Sequence, residues 1–282
     1  MQRDLAPGSV PDFPEPVVTH RVERWADGNV SAQEDQLAQE TPVALVYNGI
    51  SHAVMLASPG DLVEFATGFT LSEGIAEAVD EIYDIEVMAT AEGIEVHIGL
   101  SSRRMAALKE RRRNLSGRTG CGLCGTESLA EVERAHAQLP VVKGFTAVNI
   151  HRAMQSLAAG QRMHALTGAV HAAAWATRDG SVEYVFEDVG RHNALDKLIG
   201  RLAREKKSFS EGCALITSRA SFEMVQKCLA LGIPLLAAVS APTSLAVKMA
   251  QESGLTLLGF VRKGQHVVYA DPHKLLTAQV PA

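Results

Sequence analysis

Two cysteines three residues apart, Cys121 and Cys124, lie in the segment Gly117-Arg118-Thr119-Gly120-Cys121-Gly122-Leu123-Cys124-Gly125. A stretch this rich in glycine cannot be a helix interior, and glycine on both sides of each cysteine leaves the sulfurs sterically open. Upstream come Arg103, Arg104, Lys109, Arg111, Arg112, Arg113 and Arg118, with Glu110 as the opposing charge inside the stretch. Such a run is either a solvated helix face or a positive field that favours thiolate over thiol. Three chemistries suit the pair. A zinc knuckle needs four ligands, and with no second Cys-x-x-Cys the nearest further candidate is His136. A thioredoxin-type dithiol places its first cysteine at a helix N-terminus directly after a strand, where this chain has a basic, glycine-rich linker. A sulfur relay lets one thiolate attack a persulfide while the other releases or protects the cargo by exchange. Spacing leaves all three open, favours the relay, and does not divide the labour between the two cysteines.

A second set of residues sits at expected strand ends. Thr217-Ser218-Arg219-Ala220-Ser221, Ser240-Ala241-Pro242-Thr243-Ser244 and Phe260-Val261-Arg262-Lys263-Gly264-Gln265 each follow an apolar run. In open α/β sheets such turns face one crevice, where hydroxyls and helix N-terminal amides hold phosphate. Ser218 and Arg219, with Arg262 and Lys263, are candidates to bind an anionic, nucleotide-like ligand; plain helix capping by Ser221 and Thr243 is the competing reading. Glu187-Asp188-Val189-Gly190-Arg191-His192-Asn193 reads equally as a ligand-orienting cluster or an Asp-capped turn. His164, Thr167 and His171 flank a further strand start, where a lone histidine is more often packed than functional. Cys213 and Cys228 fall in apolar patterns and read as packing residues.

The elements that must position these groups fall into two units. Residues 1–18 hold four of the eleven prolines and read as a mobile tail. Residues 19–115 read as a small α+β domain: a hairpin at Asn48-Gly49 between Val43–Val46 and Val54–Leu56, a helix from Asp61 to Leu71 capped by Asp61, and strands over Ile82–Met88 and Ile94–Ile98. Residues 116–127 form the expected flexible loop, and 128–282 an α/β ligand-binding domain. Within it, Asn149 is placed to cap a helix through Leu157. Strands are expected at Val170–Thr177 and Val182–Phe186, and a helix at Arg191–Arg204. From Ala214 to Val261 strands and helices alternate, with helices over Phe222–Leu231 and Leu245–Ala250, which implies a parallel sheet covered by helices. At 46% hydrophobic and 21% charged, the composition is that of a globular protein needing no disulfide staples, and the net charge of -5 argues against nucleic-acid or membrane-surface binding. No apolar run reaches the length of a membrane span, and the N-terminus is not a signal peptide, so a cytoplasmic location is expected.

Taken together, the cysteine segment, Phe186-Glu187-Asp188-Val189-Gly190-Arg191-His192, Ser218-Arg219-Ala220-Ser221-Phe222-Glu223-Met224-Val225 and Thr256-Leu257-Leu258-Gly259-Phe260 resemble the formate dehydrogenase accessory sulfurtransferase family, FdhD. The resemblance runs from about Glu40 to Pro272. It implies a sulfurtransferase that takes sulfur from a cysteine desulfurase and passes it to the molybdenum bis(molybdopterin guanine dinucleotide) cofactor before insertion into the formate dehydrogenase apoenzyme. It places the persulfide on Cys121, makes Cys124 its partner, and assigns Phe260, Val261, Arg262, Lys263, Gly264 and Gln265 to the guanine-nucleotide moiety of the cofactor. Gln265 stands where relatives are expected to have arginine, and Lys263 where they are expected to have proline; the lysine can restore the lost charge. The implied second domain is a three-layer α/β fold similar to that of cytidine deaminases. Deaminase chemistry itself needs His-x-Glu and Pro-Cys-x-x-Cys zinc signatures and does not fit, because His171 is followed by Ala172-Ala173 and Cys121 is preceded by Gly120. A homodimer is plausible for such a protein. The rival functions are a non-catalytic chaperone that binds the cofactor with dispensable cysteines, and a zinc-stabilised binding module.

Overall fold

The computed structural model of the chain describes residues 13–116 and 138–277. It opens with a two-stranded antiparallel ribbon, β1 (Val17–Ala26) and β2 (Asn29–Ala38), turned at Asp27-Gly28 and exposed on both faces. A four-stranded sheet follows, in the order β4-β3-β6-β5, from β3 (Thr41–Tyr47), β4 (Ile50–Ala57), β5 (Ile82–Thr90) and β6 (Gly93–Leu100). The expected hairpin at Asn48-Gly49 is present, with both residues at positive φ as a two-residue type I′ turn requires. Asn48 also ties the turn to β6, accepting from the Leu100 N–H at 2.7 Å and donating to its carbonyl at 3.1 Å. Ile94, Val96, Ile98 and Leu100 alternate inward along β6, so the period-two pattern in the sequence is a real half-buried strand.

Two helices belong to this part, α1 (Leu62–Ser72) and α2 (Ser102–Ser116). Asp61 stands at the N-cap position of α1 but has left-handed φ of 54° and no side-chain capping bond; its carboxyl is instead pushed above the usual range, chiefly by burial. Helix α1 is buried on nearly every side from Phe65 to Ser72, as expected of a helix enclosed between two layers.

The second layer system is a six-stranded sheet in the order β13-β12-β11-β10-β8-β9. Its strands are β8 (His171–Thr177), β9 (Val182–Asp188), β10 (Gly212–Ile216), β11 (Leu235–Ala238), β12 (Thr256–Arg262) and β13 (Gln265–Ala270). The parallel run expected from Ala214 to Val261 is present in β10, β11 and β12, while the β8–β10, β8–β9 and β12–β13 pairings are antiparallel. The difference follows from connection length, because β8–β9 and β12–β13 are joined by tight turns, which can only reverse the chain. A short parallel pair, β7 (Phe145–Thr146) with β14 (Leu276–Thr277), stands apart.

Helices α3 (Ala147–Gly160) and α4 (Arg162–Thr167) precede β8 in the chain, and α3 packs on one face of the sheet; α5 (Arg191–Arg204), α6 (Phe222–Leu231) and α7 (Ser244–Ser253) cover the other. Alternation along β8 serves both faces: Ala172, Ala174 and Ala176 point to the α3 side, Ala173 and Trp175 to the α5 side. Thr146, rather than Asn149, caps α3, its hydroxyl accepting the Asn149 N–H; the Asn149 amide donates to the Arg178 carbonyl. The result is the three-layer α/β arrangement expected from the sequence.

The two parts are locked through α1 and α5. A Cβ on Gly68 would lie 1.8 Å from the Asp196 carbonyl oxygen, and one on Gly200 1.9 Å from that of Glu64, so the helices cross backbone to backbone only because both positions are glycine. Beside the crossing, buried Lys227 of α6 bonds both carboxylate oxygens of buried Asp196 at 3.0 Å, the Ser72 hydroxyl at 2.9 Å and Glu73 at 2.8 Å. The buried charge is thus fully partnered, as burial demands.

Candidate functional site

Because β10 and β11 are parallel neighbours, the turns that follow them emerge at the same end of the sheet. Ala220 bridges Pro242, the Ala220 N–H donates to Ala241 and the Thr243 N–H to Ala220. The Phe260 N–H reaches the Ser240 carbonyl at 3.2 Å, so the three expected segments do meet. The third, however, is the tip of the β12–β13 hairpin and not a strand-to-helix turn. Lys263 and Gly264 form its two-residue turn, both at positive φ, between paired Arg262 and Gln265. A β-bulge spans Gly259 to Arg262 and holds Phe260 at a φ of 54°. Such a conformation costs an aromatic residue on the order of 1–3 kcal/mol, and its usual purpose is to re-aim side chains at a functional edge. The Arg262 guanidinium lies over the Phe260 ring, 5.6 Å from its centroid.

This hairpin forms one wall of a cavity of about 430 Å³. Val261, Arg262, Lys263 and Gly264 line that wall; Thr217 and Val239, just beyond β10 and β11, form the floor. The opposite wall is α3, through His151, Met154, Gln155 and Ala158, closed by Gln161 and His164 of the α3–α4 corner. The inner surface is largely apolar while the charged groups that line it, among the described residues, are cationic or imidazole. That combination suits a flat heterocycle carrying an anionic group.

Four of the residues singled out in the sequence, Val261, Arg262, Lys263 and Gly264, are therefore brought to the cavity. Phe260 and Gln265 adjoin it without lining it. Ser218 is buried and spends its hydroxyl on the Arg219 carbonyl at 3.1 Å, while Arg219 is exposed and off the cavity. Capping accounts for Thr243, whose hydroxyl accepts the Ala246 N–H of α7; Ser221 occupies the cap position of α6 but turns its hydroxyl to Glu223. The α3 wall went unread in the sequence. Its only signal was the His151–Met154–Ala158 spacing, which marks one helix face without saying what faces it.

The cluster around Asp188 is a structural joint. Asp188 is fully buried and pairs with buried Lys197 at 2.7 Å. Its carboxylate also accepts the Ser58 N–H at 3.0 Å, the Gly190 N–H at 2.8 Å and the Asn193 amide at 2.9 Å. Since Ser58 follows β4, the cluster ties the first sheet to the start of α5. His192 lies nearer the surface and bonds Glu223 at 3.0 Å. That bond holds the Glu223 carboxyl at about 2, well below its usual range. His171, half-buried, is shifted below its usual value by burial first and then by Arg191 and two neighbouring histidines. Glu187 accepts the Met163 and His164 N–H groups and so fixes α4 at the cavity rim.

Cys121 and Cys124, with Arg118 and His136, lie outside the described residues. Among the described ones no group of three or more His, Cys, Asp or Glu side chains could hold a metal ion, and no helix is long and apolar enough to cross a membrane. Arg103 and Arg104 of α2 are not free positive charge, since both pair with Glu77 and Glu81. Cys213 and Cys228 are buried packing residues whose thiols are pushed up to about 12 by burial. Native alkylation with iodoacetamide is accordingly expected to spare both, with modification appearing only after unfolding; peptide mapping checks it, and rapid native labelling of either would contradict their burial.

Comparison with known proteins places these features in a family context. The model of the FdhD/NarQ family matches residues 38–276. Sulfur carrier protein FdhD of Cupriavidus necator is 54% identical over 257 residues, covering 91% of this chain and 89% of that protein. The protein of the same name from Bordetella petrii is 52% identical, covering 87% of this chain and 88% of its own. The fold is shared with a crystal structure from Desulfotalea psychrophila, of a protein ascribed a formate dehydrogenase accessory role, with a TM-score of 0.75 at 23% identity over 93% of this chain and all of that one.

Proposed function

The chain belongs to the FdhD/NarQ family, and on that footing we propose that it is a sulfur carrier serving the maturation of formate dehydrogenase. The relatives called sulfur carrier proteins supply the general role. The observation that carries the finer reading is the cavity walled by α3 and the β12–β13 hairpin, with Arg262 and Lys263 on its rim.

In this reading Cys121 is the acceptor. Its thiolate attacks the outer sulfur of a cysteine desulfurase persulfide; a new S–S bond forms on Cys121 and the desulfurase cysteine leaves as a thiolate. The substrate that receives the sulfur is the molybdenum bis(molybdopterin guanine dinucleotide) cofactor. Its guanine enters the apolar interior between Met154 and Val261, and its pyrophosphate meets Arg262, Lys263 and the backbone of the hairpin tip. Attack of the Cys124 thiolate on the inner sulfur of the Cys121 persulfide releases hydrosulfide and leaves a Cys121–Cys124 disulfide, so the pair of electrons needed to deliver sulfur as sulfide comes from the two cysteines.

Incubation of the protein with a cysteine desulfurase and cysteine is expected to add about 32 Da, the mass of one sulfur in a persulfide, to the peptide containing Cys121. The adduct is expected to disappear on treatment with dithiothreitol. A protein that stays unmodified while the desulfurase itself is loaded would exclude the carrier role and leave the chaperone reading in its place.

A further inference from the structure

The functional reading above leaves one pair of groups at the cavity unused. His151 on α3 and His266 on β13 meet at its edge, His151 Nε2 lying 2.9 Å from His266 Nδ1, with ring centroids 5.0 Å apart and planes inclined at 61°. His151 lines the cavity, and His266 follows directly on the Lys263-Gly264 tip and Gln265. One ring must donate and the other accept, so the contact requires at least one neutral imidazole.

The charges around the pair are one-sided. Arg262 and Lys263 stand on the hairpin and His164 on α4, and among the described residues no carboxylate lines the cavity. The acidic groups on neighbouring strands are committed elsewhere. Glu187 of β9 accepts two backbone N–H groups of α4, and Asp179 after β8 accepts from Thr177 and Ser181. Arg152, next to His151, points to the Asp179 carbonyl. Nothing at the cavity therefore stabilises positive charge on the pair, and burial together with His151 holds the pKa of His266 below its ordinary value.

We propose that the His151–His266 pair is the phosphate-receiving end of the cavity and takes up one proton, and not two, when a guanosine pyrophosphate ligand binds. This deepens the reading of the cavity as a guanine-nucleotide site and rests on it. A pyrophosphate diester brings two negative charges to a partly desolvated pair. One added proton gives an imidazolium–imidazole pair that keeps its N–H···N bond and faces the anion with positive charge. A second proton would remove the acceptor nitrogen and set two cations against each other. The sign follows by linkage: the liganded state binds more protons than the free state, so affinity rises as pH falls from the raised pKa of the complex towards the lowered pKa of free His266.

The test uses the full chain and diguanosine pyrophosphate, whose phosphates do not titrate near neutrality, with guanosine as the ligand lacking phosphate. Titration calorimetry in buffers of different ionisation enthalpy is expected to give uptake of about one proton for the pyrophosphate and none for guanosine, with affinity for the former tightening roughly tenfold per pH unit inside the window. His266→Asn is expected to lose both the uptake and the pH slope while still binding guanosine. Binding of the pyrophosphate without proton uptake by the unaltered protein, or uptake that survives His266→Asn, overturns the proposal and leaves the nucleotide site standing. If neither ligand binds, the nucleotide reading itself falls and the proposal goes with it.

Discussion

A Cys121→Ala variant is expected to leave formate dehydrogenase without activity while still binding guanine nucleotide at the strength of the unaltered protein. The two halves of this result separate the functions assigned to two parts of the chain. The persulfide needs a thiolate, and alanine offers none, so sulfur transfer falls to background and not by a modest factor. The cavity, by contrast, is built, among the described residues, from α3, the β10 and β11 ends and the β12–β13 hairpin. Maturation is read as formate-dependent dye reduction in cells lacking the native carrier, and nucleotide binding by calorimetry on the purified variant. Normal maturation with Cys121→Ala, or with Cys121 and Cys124 both replaced, would move the protein to the non-catalytic chaperone class. Cys124→Ala is the more informative companion: if Cys124 releases the sulfur, that variant still acquires the persulfide but delivers it poorly.

The second large effect concerns the fold. Lys197→Met is expected to lower the free energy of unfolding by about 3–5 kcal/mol, because it strands the fully buried Asp188 carboxylate without its counter-charge. Typical total stabilities are about 5–15 kcal/mol, so a loss of this size threatens the folded state at physiological temperature. The N–H groups of Ser58 and Gly190 and the Asn193 amide continue to donate to Asp188, which keeps the loss from being larger. Urea unfolding followed by tryptophan fluorescence suits the measurement, since Trp175 is 2% exposed and reports the core, while Trp25 is 73% exposed and contributes a nearly constant background. Replacing both partners, Asp188→Leu with Lys197→Met, is expected to recover part of the loss. A drop of less than about 1 kcal/mol for Lys197→Met alone would show that the pair is not what joins the first sheet to α5.

Particular elements show which parts of this structure could be read from the chain. Helices α5 and α6 coincide with the expected Arg191–Arg204 and Phe222–Leu231, because each presents a continuous apolar stripe to the sheet. The β3–β4 hairpin was legible because Asn48-Gly49 suits its turn. The Asp27-Gly28 turn carries the same kind of signal, yet the ribbon around it went unread: β1 and β2 are exposed on both faces and show no alternation to betray a strand. The parallel run of β10, β11 and β12 was legible from its alternation with helices, whereas the antiparallel pairings of β8, β9 and β13 went unread, since period and polarity do not encode strand direction. Lys227 is the instructive side chain. In sequence it is an ordinary helical lysine, and only the packing of α6 beside Ser72 and Asp196 makes it buried. The cavity was half legible, through the glycine and cationic residues of the hairpin tip. Its α3 wall became a wall only when the bulge at Phe260 set the hairpin opposite His151 and Met154.

The crossing of α1 with α5 bears on how the chain is made. Ser58 must wait for Asp188, 130 residues further on, and the surface of α1 around Gly68 waits for the backbone of Asp196 and Gly200. At synthesis rates of about 5–20 residues per second, α1 spends on the order of ten seconds outside the ribosome before the surface that covers it exists. For that interval a helix that the finished molecule encloses on nearly every side is bare on the face meant for α5, the kind of transiently exposed apolar surface that invites aggregation.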